Sequence, residues 1–199
     1  CNGYTNTYVW GYRWETDCVK TGADMIAQIA KEDPRFYYLV YGGTWSYTDS
    51  TRTDSIYTGS AMGGIGYCPT NYQSISLNLN GQPYPLIQGA VHTNAYNFDS
   101  WTSSSTNGYW NAGWYTNGYW SYWNAIDASS SYGYASTGCS GRTLTDGCVD
   151  GWVFAYDFDW NADMGDDVVY VSALSPVLTL SKARQSAERI ESKAEGEGS

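Results

Sequence analysis

Ile75-Ser76-Leu77-Asn78-Leu79-Asn80-Gly81 decides the fold class of this chain. Apolar and polar residues alternate over five positions, the period that puts every second side chain on one face of a strand. Asn80-Gly81 then supplies the residue pair that most readily takes the positive φ angles of a tight hairpin. Outward from this stretch, Phe36 to Val40, Trp152-Val153-Phe154-Ala155-Tyr156 and Val168 to Val171 read as further strands. Tyr8-Val9-Trp10-Gly11-Tyr12-Arg13-Trp14 alternates large residues and reads as an early β element. Gly, Ser, Asn and Thr punctuate the rest at the spacing of short strands joined by turns.

Helical periodicity enters once before the C-terminal region. Thr21-Gly22-Ala23-Asp24 has the form of an N-cap with an acidic residue at N3. Met25, Ile26 and Ile29 fall on one face behind it, and Asp33-Pro34 ends the segment. The expected architecture is all-β, a β-sandwich or jelly-roll-like domain over residues 1–180 with one short helix packed on the sheet. Residues 181–199 form a polar, helix-compatible tail in which Ile190 is the only large apolar side chain, so this segment buries little and reads as a linker. A chain of 199 residues fits one such domain with a tail.

The chain holds 20 Tyr, 10 Trp and 22 Gly against four Phe, three Met and one His. Tyr and Trp join a large apolar body to a polar tip, which suits surfaces that are half wet and half dry. Charge is sparse and acidic: up to Leu180 there are six basic and sixteen acidic residues, and the tail carries four of each. A body at net minus ten argues against nucleic-acid or anionic-membrane binding, which need clustered Lys and Arg. No apolar run of about 18 residues offers a membrane span.

Five cysteines, at 1, 18, 68, 139 and 148, form no CxxC pair and have no His at ligand spacing. Disulfides are therefore expected, with Cys139–Cys148 closing a turn-rich hairpin and Cys18 pairing with Cys1 or Cys68. The odd thiol leaves Cys1 as a candidate lipid anchor at an extracellular or outer cell surface.

The densest feature runs from Trp101 to Trp123. Within it Asn107-Gly108-Tyr109-Trp110 and Asn117-Gly118-Tyr119-Trp120 are the same tetrapeptide ten residues apart, read as two turns presenting equivalent Tyr-Trp pairs. Trp101, Trp110, Trp114, Tyr119, Trp120 and Trp123 are the expected ligand platform, with Arg142 and Arg13 as possible hydrogen-bond donors; Arg13, set between two Trp, also suits a structural cation–π contact. The competing expectation is that these rings are packing material in an aliphatic-poor domain. Asp157, Asp159, Asn161 and Asp163 place oxygens at alternate positions as a calcium loop does, although Ala162 stands where an EF-hand has Gly and Val168 where it has Glu.

Catalytic constellations are sparse. His92 is the only imidazole, no nucleophile elbow lies near it, and it reads as a hydrogen-bonding loop residue. A glycosidase pair is conceivable among Asp99, Asp127, Asp150 and Asp157, but Glu15 and Glu32 are the only glutamates before the tail. The expected protein is not an enzyme and requires no cofactor beyond, at most, calcium.

Trp10-Gly11-Tyr12-Arg13-Trp14, Thr21-Gly22-Ala23-Asp24-Met25-Ile26, Asp33-Pro34-Arg35-Phe36, Gly63-Gly64-Ile65-Gly66-Tyr67, Gly113-Trp114-Tyr115, Gly118-Tyr119-Trp120-Ser121-Tyr122-Trp123 and Ser140-Gly141-Arg142-Thr143-Leu144-Thr145-Asp146-Gly147 follow one another in this chain. This ordered set, over residues 8 to 165, resembles the exported surface lipoproteins of Bacteroidetes and their sorting-signal-bearing relatives in other bacteria. Some members of that family are associated with cobalamin uptake, so the resemblance implies capture of a corrinoid at the cell surface, in company with a transporter. The same aromatic surface suits a glycan, and a third expectation is a structural protein that assembles with copies of itself into a surface fibre.

Overall fold

The computed structural model describes residues 8–11, 21–49, 52–69, 75–95, 97–114 and 116–156, and of 43–49 and 52–60 the backbone alone. The helix α1 (Gly22–Glu32) starts at its cap. Thr21 is extended, its hydroxyl accepts from the Asp24 N–H at 3.2 Å, and the Asp24 carboxylate accepts from the Thr21 N–H at 2.9 Å, a complete capping box. Asp33 ends the helix with its N–H donating to the Ile29 carbonyl at 2.7 Å.

The chain then runs through β1 (Phe36–Asp49), β2 (Arg52–Tyr67), β3 (Ser76–Leu79), β4 (Gln82–Pro85) and β5 (Ala90–Thr93). It continues through β6 (Trp101–Ser103), β7 (Tyr109–Ala112), β8 (Tyr119–Ala125), β9 (Gly133–Tyr134) and β10 (Val149–Ala155). The fold is all-β with a single helix among the described residues, and its strands form three sheets ordered β5-β1-β2-β7, β10-β8-β9 and β4-β3-β6. The hairpin expected at Asn80-Gly81 joins β3 to β4, with φ angles of 50° and 77° and Leu79 facing Gln82.

β1 is the centre because both of its faces are apolar. Phe36, Tyr38 and Val40 meet Ile26, Ile29 and Ala30 of α1, so the helix packs on this sheet. Tyr37, Leu39 and Tyr41 point the other way onto Leu77, Phe98 and Trp101. Tyr37, Gly66 and Trp110 form one row across β1, β2 and β7. With no Cβ on Gly66 or Gly64, the Tyr37 ring lies over the first and the Trp110 ring over the second, and the two rings stack at 5.6 Å with planes 5° apart.

Three expectations change here. Tyr8 to Gly11 are not strand; Trp10 instead sets its ring edge-on to Phe36 at 4.8 Å, and Tyr12, Arg13 and Trp14 lie outside the described residues. His92 stands on the strand β5 and not in a loop. Cys139 and Cys148 are thiols and no bridge joins them, nor is Cys68 bridged. The chain after Cys139 does not fold back as a hairpin onto Cys148, because Thr143 pairs with Thr21 ahead of α1. Cys139 packs inward beside Tyr122 and Ala135, and burial pushes its thiol up to about 11. Cys1, Cys18, Val168 to Val171 and the tail 181–199 lie outside the described residues.

Candidate functional site

The repeated Asn-Gly-Tyr-Trp does build two equivalent pieces of structure. Each places Tyr first and Trp second in a strand, and each indole N–H donates to a carbonyl nine residues earlier: Trp110 to Trp101 O at 3.1 Å, Trp120 to Asn111 O at 2.9 Å. The rings are thereby committed inward, Trp110 on Tyr37 and Trp120 on Phe154 at 5.2 Å. Trp101 and Trp123 are buried, at 4% and 9% exposure. Trp114 is half-buried, edge-on to Phe98 at 5.8 Å and to Tyr119 at 5.3 Å. Tyr119, half-buried, shares a hydrogen bond with the Tyr134 hydroxyl at 3.1 Å. The six expected platform rings therefore do not form one open surface; Trp101 and Trp123 in particular offer no face to a ligand.

Arg142 is tied into the fold. Its Nε donates to Asp150 Oδ1 at 3.4 Å, and its terminal nitrogens donate to the carbonyls of Thr143 at 3.0 Å and Ala125 at 3.4 Å. Asp150, whose side chain has no exposure, also accepts from the Tyr122 hydroxyl at 2.6 Å. Burial and the neighbouring Asp150 carboxylate hold the Tyr122 phenol far above its ordinary range, so it remains a donor. Gly22 abuts this cluster, and its N–H donates to Arg142 O at 3.0 Å. Two of the ordered motifs, Thr21 to Ile26 and Ser140 to Gly147, thus meet in one clasp at the head of α1.

A second junction joins Trp10, Asp33, Arg35 and Tyr67. Trp10 Nε1 donates to Asp33 Oδ2 at 3.1 Å, Arg35 donates to both Asp33 oxygens at 2.8 and 3.0 Å, and the guanidinium lies over Tyr67 at 5.3 Å. A cavity of about 500 Å³ lies beside it, lined by Trp10, Glu32, Asp33, Pro34, Arg35 and Pro69. Its strongest polar groups are already committed to one another.

Asp99 and Asp127, two more of the carboxylates weighed for catalysis, also bond groups of the fold. Asp99 Oδ1 accepts from the backbone N–H groups of Trp114, Thr116 and Asn117 at 2.9–3.2 Å and so holds the loop between β7 and β8. Asp127 Oδ1 accepts from the N–H and hydroxyl of both Ser129 and Ser130 at 2.7–2.9 Å. Asp157, Asp159, Asn161 and Asp163, the calcium candidates, lie outside the described residues. Among the described residues no cluster of metal-binding side chains is present, and no helix is long and apolar enough to cross a membrane.

What stands open is a groove of about 360 Å³ between α1 and the β4–β5 connection, lined by Ala27, Tyr38, Tyr84, Pro85, Ile87, Gln88, Ala90, Val91 and His92. Its volume lies at the lower end of the range for ligand pockets. No Asp, Glu, Lys or Arg lines it. Tyr84 is 42% exposed and Ile87 77% exposed, large apolar surface that the fold leaves to solvent. Tyr84 is held by strand register, since Pro83 and Pro85 flank it on an edge strand that needs few amide donors, and its ring rests on Trp101 with centroids 4.9 Å apart. Trp101 is thus a support beneath the groove's outer ring, and among the described residues its buried Nε1 has no acceptor. Burial raises the Tyr38 phenol above its ordinary value.

Tyr84, Ile87, Gln88 and His92 were not among the expected site residues. The available signals were small: a tyrosine between prolines, and a glutamine before glycine where a tight turn usually has asparagine. No family model, curated protein or solved structure matches this chain.

Proposed function

We propose that this chain is a non-catalytic binding domain of the extracellular or outer cell surface that holds one ring of a neutral carbohydrate in the groove between α1 and β5. The carrying observation is an uncharged, partly aromatic groove on a chain of net charge −10. A pyranose has an apolar face of C–H groups that suits Tyr84 and Ile87, and an edge of hydroxyls that suits Gln88 and His92. An anionic ligand is disfavoured by the acidic body, and a cationic one finds no carboxylate in the groove. A corrinoid, the ligand implied by the motif resemblance, is a poorer match to a groove of this volume.

Binding is tested by titrating the purified chain with neutral gluco-, manno-, xylo- and galacto-configured oligosaccharides, with cobalamin alongside, while following tryptophan emission. Trp101 beneath Tyr84 makes the groove its own reporter. Saturable emission change with a neutral oligosaccharide, lost in Tyr84→Ala and kept in Tyr109→Ala, is the expected result. Binding of cobalamin but of no neutral glycan would replace carbohydrate with corrinoid, and binding of neither would remove the proposal.

A further inference from the structure

We infer that Gln88 is the specificity-determining residue of this groove, its carboxamide reading two adjacent hydroxyls of the sugar ring; the inference rests on the carbohydrate reading above. Two of the two-residue turns among the described residues have matching φ angles. Asn80 and Gly81 have φ angles of 50° and 77°, and Gln88 and Gly89 have 51° and 79°. In the second turn Ile87 and Ala90 exchange both backbone hydrogen bonds, at 2.9 and 3.0 Å. An L-residue with positive φ brings its Cβ against the following carbonyl, and asparagine eases this strain because its short amide bonds the local backbone. Glutamine, one methylene longer, lacks that remedy. The first turn follows the rule and the second breaks it.

Position 88 has no freedom to escape. A Cβ on Gly89 would lie 2.8 Å from Ala30 Cβ and 3.2 Å from the Phe36 carbonyl oxygen, and Gly89 O accepts from the Tyr38 N–H at 2.9 Å. The packing of α1 on β1 therefore wedges the turn in place and imposes the left-handed conformation on whatever residue precedes Gly89. Gln88 is exposed and is one of the residues that line the groove. A residue that strains the turn while standing at the rim of a binding groove is placed for what the groove holds.

The chemistry agrees with the position. A primary amide presents donors and an acceptor in one plane without charge, and two neighbouring hydroxyls each donate and accept. His92 on β5 lines the same groove. The amide then selects hydroxyl geometry, while Tyr84 and Ile87 supply contact that any ring would share.

An exchange between the two turns tests this. Gln88→Asn and Asn80→Gln are made separately, and each is measured for thermal unfolding and for titration with the neutral oligosaccharide that the wild type binds best in the panel above. Gln88→Asn raises Tm by about 2 °C and weakens binding roughly tenfold. Asn80→Gln lowers Tm by a similar amount and leaves binding unchanged. If Gln88→Asn binds as the wild type does, the inference fails and the carbohydrate reading survives. A lower Tm in Gln88→Asn would show that the glutamine serves the fold, which also overturns it. If the wild type binds no neutral glycan, the carbohydrate reading itself falls and takes this inference with it.

Discussion

At the head of α1 and in the groove beside Ala27, tyrosines and polar groups meet opposite fates. In the clasp, Asp150 is sealed, Tyr122 and Arg142 both donate to it, and the remaining guanidinium N–H groups reach backbone carbonyls. In the groove, Tyr84 and Ile87 face solvent and Gln88 occupies a strained turn position. The polar groups of the clasp answer a need of the fold, whereas Gln88 and His92 stand exposed at the groove. Residues of the ordered motifs meet in the clasp and at the Trp10–Asp33–Arg35 junction, where they hold the architecture, and the groove is lined by residues outside those motifs.

The strongest way to break that contrast is to remove the clasp's cation. Arg142→Ala leaves Asp150 buried with only the Tyr122 hydroxyl, and removing one member of a buried ion pair costs about 3 kcal/mol. Urea unfolding followed by circular dichroism reads the loss directly. A change below about 1 kcal/mol, the level of a surface ion pair, would mean that the clasp is not a determinant of stability. Glycan affinity of the folded variant is expected to stay at the wild-type value, because Arg142 does not line the groove.

Gly22→Ala probes the same clasp from the helix side, where two effects oppose. Alanine is the better helix former by up to about 1 kcal/mol. Its Cβ, however, would sit 2.7 Å from the Tyr122 hydroxyl and 3.1 Å from Asp150 Oδ2 and the Cys139 carbonyl oxygen. Overpacking of this kind costs roughly 1–3 kcal/mol, so a net loss of about 1 kcal/mol is expected in the same unfolding assay. A more stable variant would show that the cluster has room to yield.

These two regions also divide what was legible in the sequence. The capping box at Thr21 and Asp24 and the hairpin at Asn80-Gly81 depend on neighbours within four residues, and both are written in residue type. The Asn-Gly-Tyr-Trp repeat announced two equivalent units, but not that each indole would turn inward to a carbonyl nine residues back. Tyr and Trp serve a core as readily as a surface, and only the packing of β7 and β8 decides between them. The opening Tyr8 to Trp14 alternation read as a strand, whereas Trp10 is drawn to Asp33, twenty-three residues away. The groove was invisible because Ala27, Tyr84 and His92 meet only through the placement of α1 on β1 and β5.

The Trp10–Asp33–Arg35 junction carries a pH signature of its own. Burial pushes the Asp33 carboxyl up, but hydrogen bonds from the Arg35 and Trp10 side chains outweigh it and leave the group below its ordinary value. A carboxyl held down in the native state contributes stability that is present above its unfolded pKa and lost as pH falls through its folded one. Wild-type Tm should therefore drop below about pH 4 more steeply than that of Asp33→Asn. Parallel slopes for the two proteins would remove Asp33 from the acid response.

The smallest expected effect on stability is the most telling for the contrast. Ile87 is 77% exposed, so Ile87→Ser removes apolar surface that water already covers and creates no cavity. Surface changes of this kind stay within about 0.5 kcal/mol, and urea unfolding should not separate the variant from the wild type. Binding should separate them. If a sugar ring buries about half of the isoleucine side chain, the lost contact is on the order of 1 kcal/mol, which weakens affinity roughly fivefold. Gly22→Ala is expected to do the reverse, costing stability without touching affinity. Should Ile87→Ser unfold early while binding normally, the groove would prove to be part of the fold's own packing, and the division between motif residues that hold the chain together and intervening residues that meet a ligand would collapse.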